Sequence, residues 1–232
     1  MTNTNSLDRV IPNDFPRTAY NGIIKRVYIT VSEKRPTPLL DHFHDAWLAV
    51  AYRFFTFTEH DTAYRDSIRR AGSNAPRLEH YIQESALFGF FISGLTVIES
   101  FYYSCYSLAA MLDDKNFPMK TPKFIQPTST ADKFVKFYSG ELLTGTLDRF
   151  RNDIEYKNWG KIRNILAHRI LPARQVKVTI WPPQPNPLHE VSWTEDSIPL
   201  DLNTTASRRE WLAKVIDDFM TAADDFTSTH FS

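Results

Sequence analysis

An arginine, an asparagine and a histidine fall close together in one short segment, KNWGKIRNILAHRILP, which spans residues 157–172. Asn164 directly follows Arg163, and His168 lies five positions after the arginine. A histidine side chain titrates near neutral pH and can give or take a proton, whereas an arginine stays charged and grips phosphate oxygens with paired N–H groups. These residue types together suit proton transfer beside a phosphate group.

The bare spacing of arginine and histidine is weak evidence, because 16 arginines and 7 histidines should produce about one such pair by chance. The pattern is an arginine followed, after four to six residues, by a histidine, and Arg35 with His42 and Arg53 with His60 also satisfy it. The third pair differs in its context, since aliphatic residues surround the arginine and a small alanine precedes the histidine. The sequence IRNILAHR, residues 162–169, resembles the signature of the HEPN superfamily of ribonucleases and toxins.

The resemblance covers roughly residues 39–171, and outside the motif it is only architectural. It implies a mainly α fold, a HEPN-like bundle of four to five helices with the motif in the last one. It also implies that Arg163 contacts phosphate, that His168 acts as acid or base and that Asn164 is their polar partner. The activity implied is that of a metal-independent endoribonuclease without cofactor, a homodimer that acts on RNA as a toxin or defence component, with an antitoxin or regulatory protein as a possible partner.

The chemistry of the three residues agrees with cleavage of RNA through attack of the ribose 2′-hydroxyl. That reaction requires a proton acceptor, a proton donor and a cation that stabilises the charge on the phosphorane. No metal is needed. Arg163 can provide the cation and His168 either proton role.

Helix geometry constrains how Arg163 and His168 can act together. Residues five apart in a regular α-helix are displaced by about 140° around its axis. The two side chains of one copy therefore cannot both point at one phosphate unless the helix is distorted. The alternative is a composite site, in which groups from two copies meet across a symmetric interface.

A second set of residues follows the motif helix as a polar and basic stripe. Lys157, Lys161, Asn164 and His168 are spaced four, three and four apart, so they share one face. We expect Lys157, Lys161 and Arg169 to contact RNA. The alternative to a catalytic role is that His168 is a surface or capping residue at the end of a helix.

Glu99 is the only charged residue in the apolar segment 86–112. A buried carboxylate is costly unless it is paired. Glu99 is therefore expected either to lie near the motif and orient Arg163 or His168, or to form a purely structural ion pair.

Other polar clusters are weaker candidates for a site. Asp41 with His44 or Asp45 could share a metal, but acidic residues at a helix N-terminus are explained by the helix dipole, so no metal site is expected. The segment 59–61, Glu-His-Asp, is expected to be an exposed polar patch. Cys105, between tyrosines in an apolar helix, is expected to be a core residue, because nothing in the sequence around it would lower the pKa of its thiol.

Composition places the chain among ordinary globular proteins. It has 232 residues, 42% of them hydrophobic, and Lys plus Arg equals Asp plus Glu at 27 each, so any RNA contact must be local. The first residues lack the layout of a signal peptide, which predicts a cytoplasmic protein.

The segment 86–112 is long enough to span a bilayer, and a membrane anchor is the competing interpretation. Its small polar residues share one face, which favours a central bundle helix and no membrane.

Hydrophobic periodicity predicts the elements that position the motif. We expect a short strand at residues 23–31, long helices at 39–70 and 77–113, a shorter helix at 131–138, another beginning near Glu141, and a last bundle helix ending at Leu171. Strands at 175–181 and 188–193 and an amphipathic helix that begins with a capping box at 207–210 should follow.

These elements divide the chain into three parts: an N-terminal arm with a strand over 1–36, a HEPN-like bundle over 37–172, and a small β hairpin plus C-terminal helix over 173–232. The alternative to an enzyme is a non-catalytic helical module that binds RNA, a nucleotide or a protein partner.

Overall fold

The computed structural model describes residues 12–32, 38–72, 75–119, 125–168, 174–178, 189–195, 198–199 and 201–231, with the backbone alone for residues 32, 167, 168 and the strands. The helices are α1 (Arg17–Ser32), α2 (Pro38–Ala71), α3 (Arg77–Leu112), α4 (Pro127–Phe137), α5 (Leu142–Arg151), α6 (Ile154–His168) and α7 (Leu202–His230). The strands are β1 (Arg174–Val178), β2 (His189–Glu195) and β3 (Ile198–Pro199). The prediction of a mainly helical fold is confirmed.

A long antiparallel hairpin of α2 and α3 lies at the centre of the protein. Trp47, early in α2, meets Phe101, late in α3, with ring centroids 6.1 Å apart, and Phe57 lies 4.5 Å from Phe90. Gly72 ends α2 in a left-handed conformation, with φ of 68°, where a side chain would add strain. Both helices extend within a residue or so of their predicted limits.

The apolar helix α3 is long and hydrophobic enough to cross a membrane by length and composition, but 67% of its most apolar window is buried inside the protein. Ser93, Ser100, Ser104 and Ser107 are buried, and Thr96 is half-buried. These small side chains allow neighbouring helices to approach closely. The burial is compatible with a soluble protein and fits the predicted core helix.

The predicted strand at residues 23–31 is wrong, because this segment lies within α1. Tyr20, Ile23 and Val27 are buried at helical spacing, whereas Ile29 is 51% exposed. The alternation of aliphatic and polar residues suggested a strand, but the buried side chains follow the helical period. The N-terminal arm is thus helical where it is described.

The closing helix α7 begins earlier than predicted. Asp201 caps it by accepting a hydrogen bond from the Thr204 amide at 2.8 Å, and the Ser207 hydroxyl donates to the Thr204 carbonyl inside the helix. The predicted capping box at 207–210 is therefore wrong. The predicted apolar face is correct, since Leu212, Ile216, Phe219, Ala223 and Phe226 are buried.

The first and last helices run side by side. The Arg26 guanidinium donates to Asp224 at 2.9 Å, and the Thr30 hydroxyl donates to the Phe231 carbonyl at 2.6 Å. Buried side chains from α1 to α7 belong to one continuous cluster. The bundle and its terminal helices therefore share a core.

The strands pair next to one another in sequence order. β1 is antiparallel to β2, with Val176 opposite Val191, and β2 is antiparallel to β3, with Thr194 opposite Pro199. Residues 179–188, which include part of both strands expected from the sequence, lie outside the described residues.

Candidate functional site

The motif helix α6 is fixed at its start and along its inner face. The Asp153 carboxylate accepts hydrogen bonds from the amides of Glu155 at 2.7 Å and Tyr156 at 3.0 Å, which satisfies donors that the first turn leaves unpaired. Trp159 and Ile162 are fully buried. This cap marks the start of α6 after α5, a position for which the sequence analysis gave no residue.

A tryptophan and a glycine set the position of α6 against α3. The Trp159 indole N–H donates to the Phe91 carbonyl at 2.9 Å, and its ring stacks on Phe90 with centroids 5.6 Å apart. A Cβ at Gly94 would lie 2.4 Å from Cζ2 of this ring, which is too close for any real contact. Arg163, one helical turn after Trp159, is thereby placed beside α3.

The predicted polar stripe is exposed where its side chains are described. Lys157, Lys161 and Asn164 are exposed on α6, opposite the buried Ile162. His168 is the last residue of α6 that the structure describes. Its side chain and the whole of Arg169 lie outside the described residues.

Arg163 and Glu99 form an ion pair between α6 and α3. Nη2 of the arginine lies 3.3 Å from Oε1 of the carboxylate, and the side chains are 31% and 39% exposed. Nε of Arg163 is buried and has no hydrogen-bond partner in the described part of the chain. Glu99 thus pairs with Arg163, a contact that is compatible with both expected roles, the orientation of the arginine and a structural ion pair. The bidentate pairing that an arginine can make with a carboxylate is not used here.

Burial and the nearby charges raise the pKa values of Glu99 and of the neighbouring Tyr156. Burial raises the pKa of Glu99, and Arg163 and Arg53 partly offset this effect. Burial and the nearby Glu99 charge raise the pKa of the Tyr156 hydroxyl to about 12, against the effect of Arg163. Tyr156 therefore keeps its proton at physiological pH.

Arg53 of α2 is a site residue that the sequence analysis placed in a chance pair. Its Nη1 donates to the Thr96 carbonyl at 3.1 Å and to the Ser100 hydroxyl at 2.5 Å, on either side of Glu99 along α3. The register of the α2–α3 hairpin brings it there. The only signal in the sequence that could have identified Arg53 is a charged residue next to the apolar face of α2.

The histidines at the start of α2 join helices. Nδ1 of His44 lies 2.5 Å from the Tyr28 hydroxyl, and Nδ1 of His42 lies 3.2 Å from the Tyr103 hydroxyl. Among the described residues, no group of three or more histidine, cysteine, aspartate or glutamate side chains could hold a metal ion. These histidines have structural partners in α1 and α3.

The expectation of an exposed polar patch at residues 59–61 is wrong for its third residue. Asp61 is fully buried, and its Oδ2 lies 3.2 Å from Arg209 of α7 and 3.5 Å from Arg65. His60 packs on Gly89, where a Cβ would come within 2.3 Å of the imidazole, and burial lowers the pKa of that ring. This cluster joins α2 to α3 and α7.

Cys105 is buried in the core as predicted, and burial raises the pKa of its thiol.

Compared with protein-family models, with curated proteins and with solved structures, the chain shows no significant match.

Proposed function

We propose that the protein is a HEPN-type, metal-independent endoribonuclease that acts in the cytoplasm as a toxin or defence component. The observation that carries this proposal is the position of Arg163. A half-exposed guanidinium is held by Glu99 at 3.3 Å, next to the exposed Asn164 and on the helix that carries His168. A cation fixed beside a polar surface is what a phosphoryl-transfer site needs.

The reaction assigns one task to each group. A base takes the proton of the ribose 2′-hydroxyl, the oxygen attacks phosphorus, and the 5′-oxygen leaves with a proton from an acid. The products are a 2′,3′-cyclic phosphate and a 5′-hydroxyl. His168 performs one or both proton transfers, Arg163 stabilises the charge on the phosphorane, and Asn164 hydrogen-bonds beside them.

The exposed lysines support the RNA-binding part of the proposal. Lys157 and Lys161 stand one turn apart on the same face as Asn164. Cations on one helix face can contact successive phosphates of a strand, and with no net charge on the chain this local stripe is the source of attraction. Arg169 follows His168 directly in the sequence and is a further cation for the proposed RNA contacts.

A homodimer completes the proposed site. Arg163 points toward α3, and a residue five positions later on a regular helix faces about 140° away. His168 of a second copy can therefore approach the phosphate that Arg163 of the first copy holds. A symmetric interface along α6 brings two such sites together.

The experiment that tests this function is RNA cleavage in the presence of EDTA. Purified protein is incubated with structured and single-stranded RNA, and the product ends are identified by mass spectrometry. Cyclic phosphate ends in EDTA support the proposal. Cleavage that needs added divalent metal, or ends with a 3′-hydroxyl, would rule out this mechanism.

The second candidate is a non-catalytic helical module that binds RNA, a nucleotide or a protein. One observation favours it: Glu99 already pairs with Arg163, as in a structural ion pair between two helices. On this alternative, RNA is bound but never cut, and removal of the His168 imidazole lowers only the thermal stability.

A further inference from the structure

We propose that Arg53 and Arg163 together bind one phosphate group and that the Glu99 carboxylate competes with this phosphate for them. The proposal deepens the proposed function and rests on it for RNA as the source of the phosphate. It adds a residue on α2, and it gives Glu99 the task of a competitor rather than a catalyst.

The first support is the geometry of Arg53. Its guanidinium is anchored by Nη1 to the Thr96 carbonyl and the Ser100 hydroxyl. Nε and Nη2 donate to no acceptor in the part of the chain that the structure describes. An arginine has five N–H donors in a rigid planar fork, so an anchored guanidinium with unused donors is prepared to bind an anion.

The second support is that Glu99 lies near both arginines. Thr96 and Ser100, which anchor Arg53, lie one turn before Glu99 and directly after it on α3, and the Arg53 charge lowers the pKa of the Glu99 carboxyl against the effect of burial. Arg163 reaches the same carboxylate from α6 at 3.3 Å. Three helices thus bring two cations to one anion at the surface.

The third support is the weakness of the carboxylate's own contacts. Arg163 and Glu99 meet through one long hydrogen bond, and Nε of Arg163 is buried without a described partner. Burial favours the neutral form of Glu99 and raises its pKa. Two guanidinium groups against one carboxylate leave an excess positive charge. An RNA phosphodiester carries one charge, as a carboxylate does, but its two non-bridging oxygens diverge from a tetrahedral phosphorus and can each accept from a different guanidinium.

The test uses a fluorescent 2′-O-methyl oligonucleotide, which lacks the attacking hydroxyl and cannot be cut by this chemistry. Its binding is followed by fluorescence anisotropy at several salt concentrations. Arg53→Gln and Arg163→Gln should each weaken binding about tenfold and reduce the salt dependence by about one phosphate contact, near 0.7 in slope for a single strand. Glu99→Gln should tighten binding several-fold, a gain that a misfolded protein cannot produce.

Two variants serve as controls. Arg69→Gln removes the same charge from an exposed position of α2, where Arg69 pairs with Asp66 at 3.4 Å, and should change affinity by less than twofold. Arg53→Lys keeps the charge without the fork, so it should retain the salt dependence that Arg53→Gln loses. Circular dichroism confirms that each variant is helical.

The outcomes separate this proposal from the proposed function. If Arg53→Gln behaves like Arg69→Gln, or Glu99→Gln weakens binding as Arg163→Gln does, the shared phosphate site is overturned even when RNA is still cut. If the variants behave as expected but unmodified RNA stays intact, the site stands and the endoribonuclease fails. If calorimetry shows that inorganic phosphate binds with the same variant pattern and the oligonucleotide does not, the site takes free phosphate.

Discussion

The Trp159 indole occupies the space that a side chain on Gly94 would need. Through this contact, α3 determines where α6 lies and hence where Arg163 lies. A bulkier residue at position 94 has to push the motif helix outward, so the site can be disturbed without any change in its own residues.

Gly94→Ala tests this dependence. The new Cβ would lie 2.4 Å from Trp159 and 3.1 Å from Phe57, and overpacking of this kind costs about 1–3 kcal/mol. We expect a lower urea midpoint together with weaker RNA binding. Gly160→Ala is the matched control, because nothing lies within 4 Å of its Cβ and alanine favours a helix by up to about 1 kcal/mol. Equal stability of the two variants would contradict the packing argument.

The chemistry of the motif is tested by His168→Ala. Cleavage should be abolished while RNA binding changes little, because the imidazole handles protons whereas affinity comes from phosphate contacts by Arg163, Lys157 and Lys161. Arg163→Ala should reduce both turnover and binding. Initial rates and anisotropy measure the two effects.

His42→Ala and His60→Ala are the controls for this experiment, because their histidines also satisfy the bare pattern of an arginine followed by a histidine. Both should cut RNA at rates close to wild type. If the wild-type protein cuts no RNA and His168→Ala only lowers the melting temperature, His168 has a structural role and no catalytic one.

The composite site predicts a homodimer whose interface includes α6. Analytical ultracentrifugation at micromolar concentration should give about twice the mass of the chain, 26.9 kDa. A mixture of His168→Ala and Arg163→Ala proteins should regain part of the activity, since one interface site then has both groups. A strict monomer would remove the composite-site argument.

Stability should depend on pH through His60. Burial lowers the pKa of this imidazole in the folded protein, and the nearby Glu59 partly opposes the effect. The unfolded chain therefore binds a proton first as the pH falls below about 6.5, and the folded state loses stability below that value. Urea unfolding at pH 7.5 and 5.5 should show a smaller difference for His60→Gln than for wild type. An unchanged difference would mean that other groups dominate.

The shared core predicts that α7 unfolds together with the bundle. Phe219 stacks on Phe101 with centroids 4.4 Å apart and contacts Phe150 at 4.9 Å. Phe219→Ala should cost about 3–5 kcal/mol and shift one cooperative transition. Two separate transitions by circular dichroism and tryptophan fluorescence would show instead that α7 is an independent unit.

The long helices could be predicted because their apolar residues repeat with the helical period over many turns. The segment 23–31 was predicted wrongly because a short run of aliphatic residues satisfies both a strand and a helix period, and only the packing of Ile23 and Val27 decides between them. The α7 cap was misplaced because Ser207 and Asp201 are both good capping residues, and the choice depends on where the chain leaves β3.

The candidate site was predicted in part. Glu99 was identified because a single charge in an apolar helix must have a partner. Arg53 could not be found in this way, because its approach to Glu99 depends on the register between α2 and α3, which no local pattern encodes. Tyr156 was missed because an aromatic residue at helical spacing is ordinary in a core.

The side-by-side pairing of α1 and α7 has a consequence for how the protein is made. The contacts Arg26–Asp224 and Thr30–Phe231 join residues about 200 positions apart. A ribosome adds roughly 5–20 residues per second, so the side of α1 that faces α7 waits on the order of 10–40 s for its partner during synthesis. Over that interval the nascent chain carries an uncovered helix face, which α7 covers once it has left the ribosome.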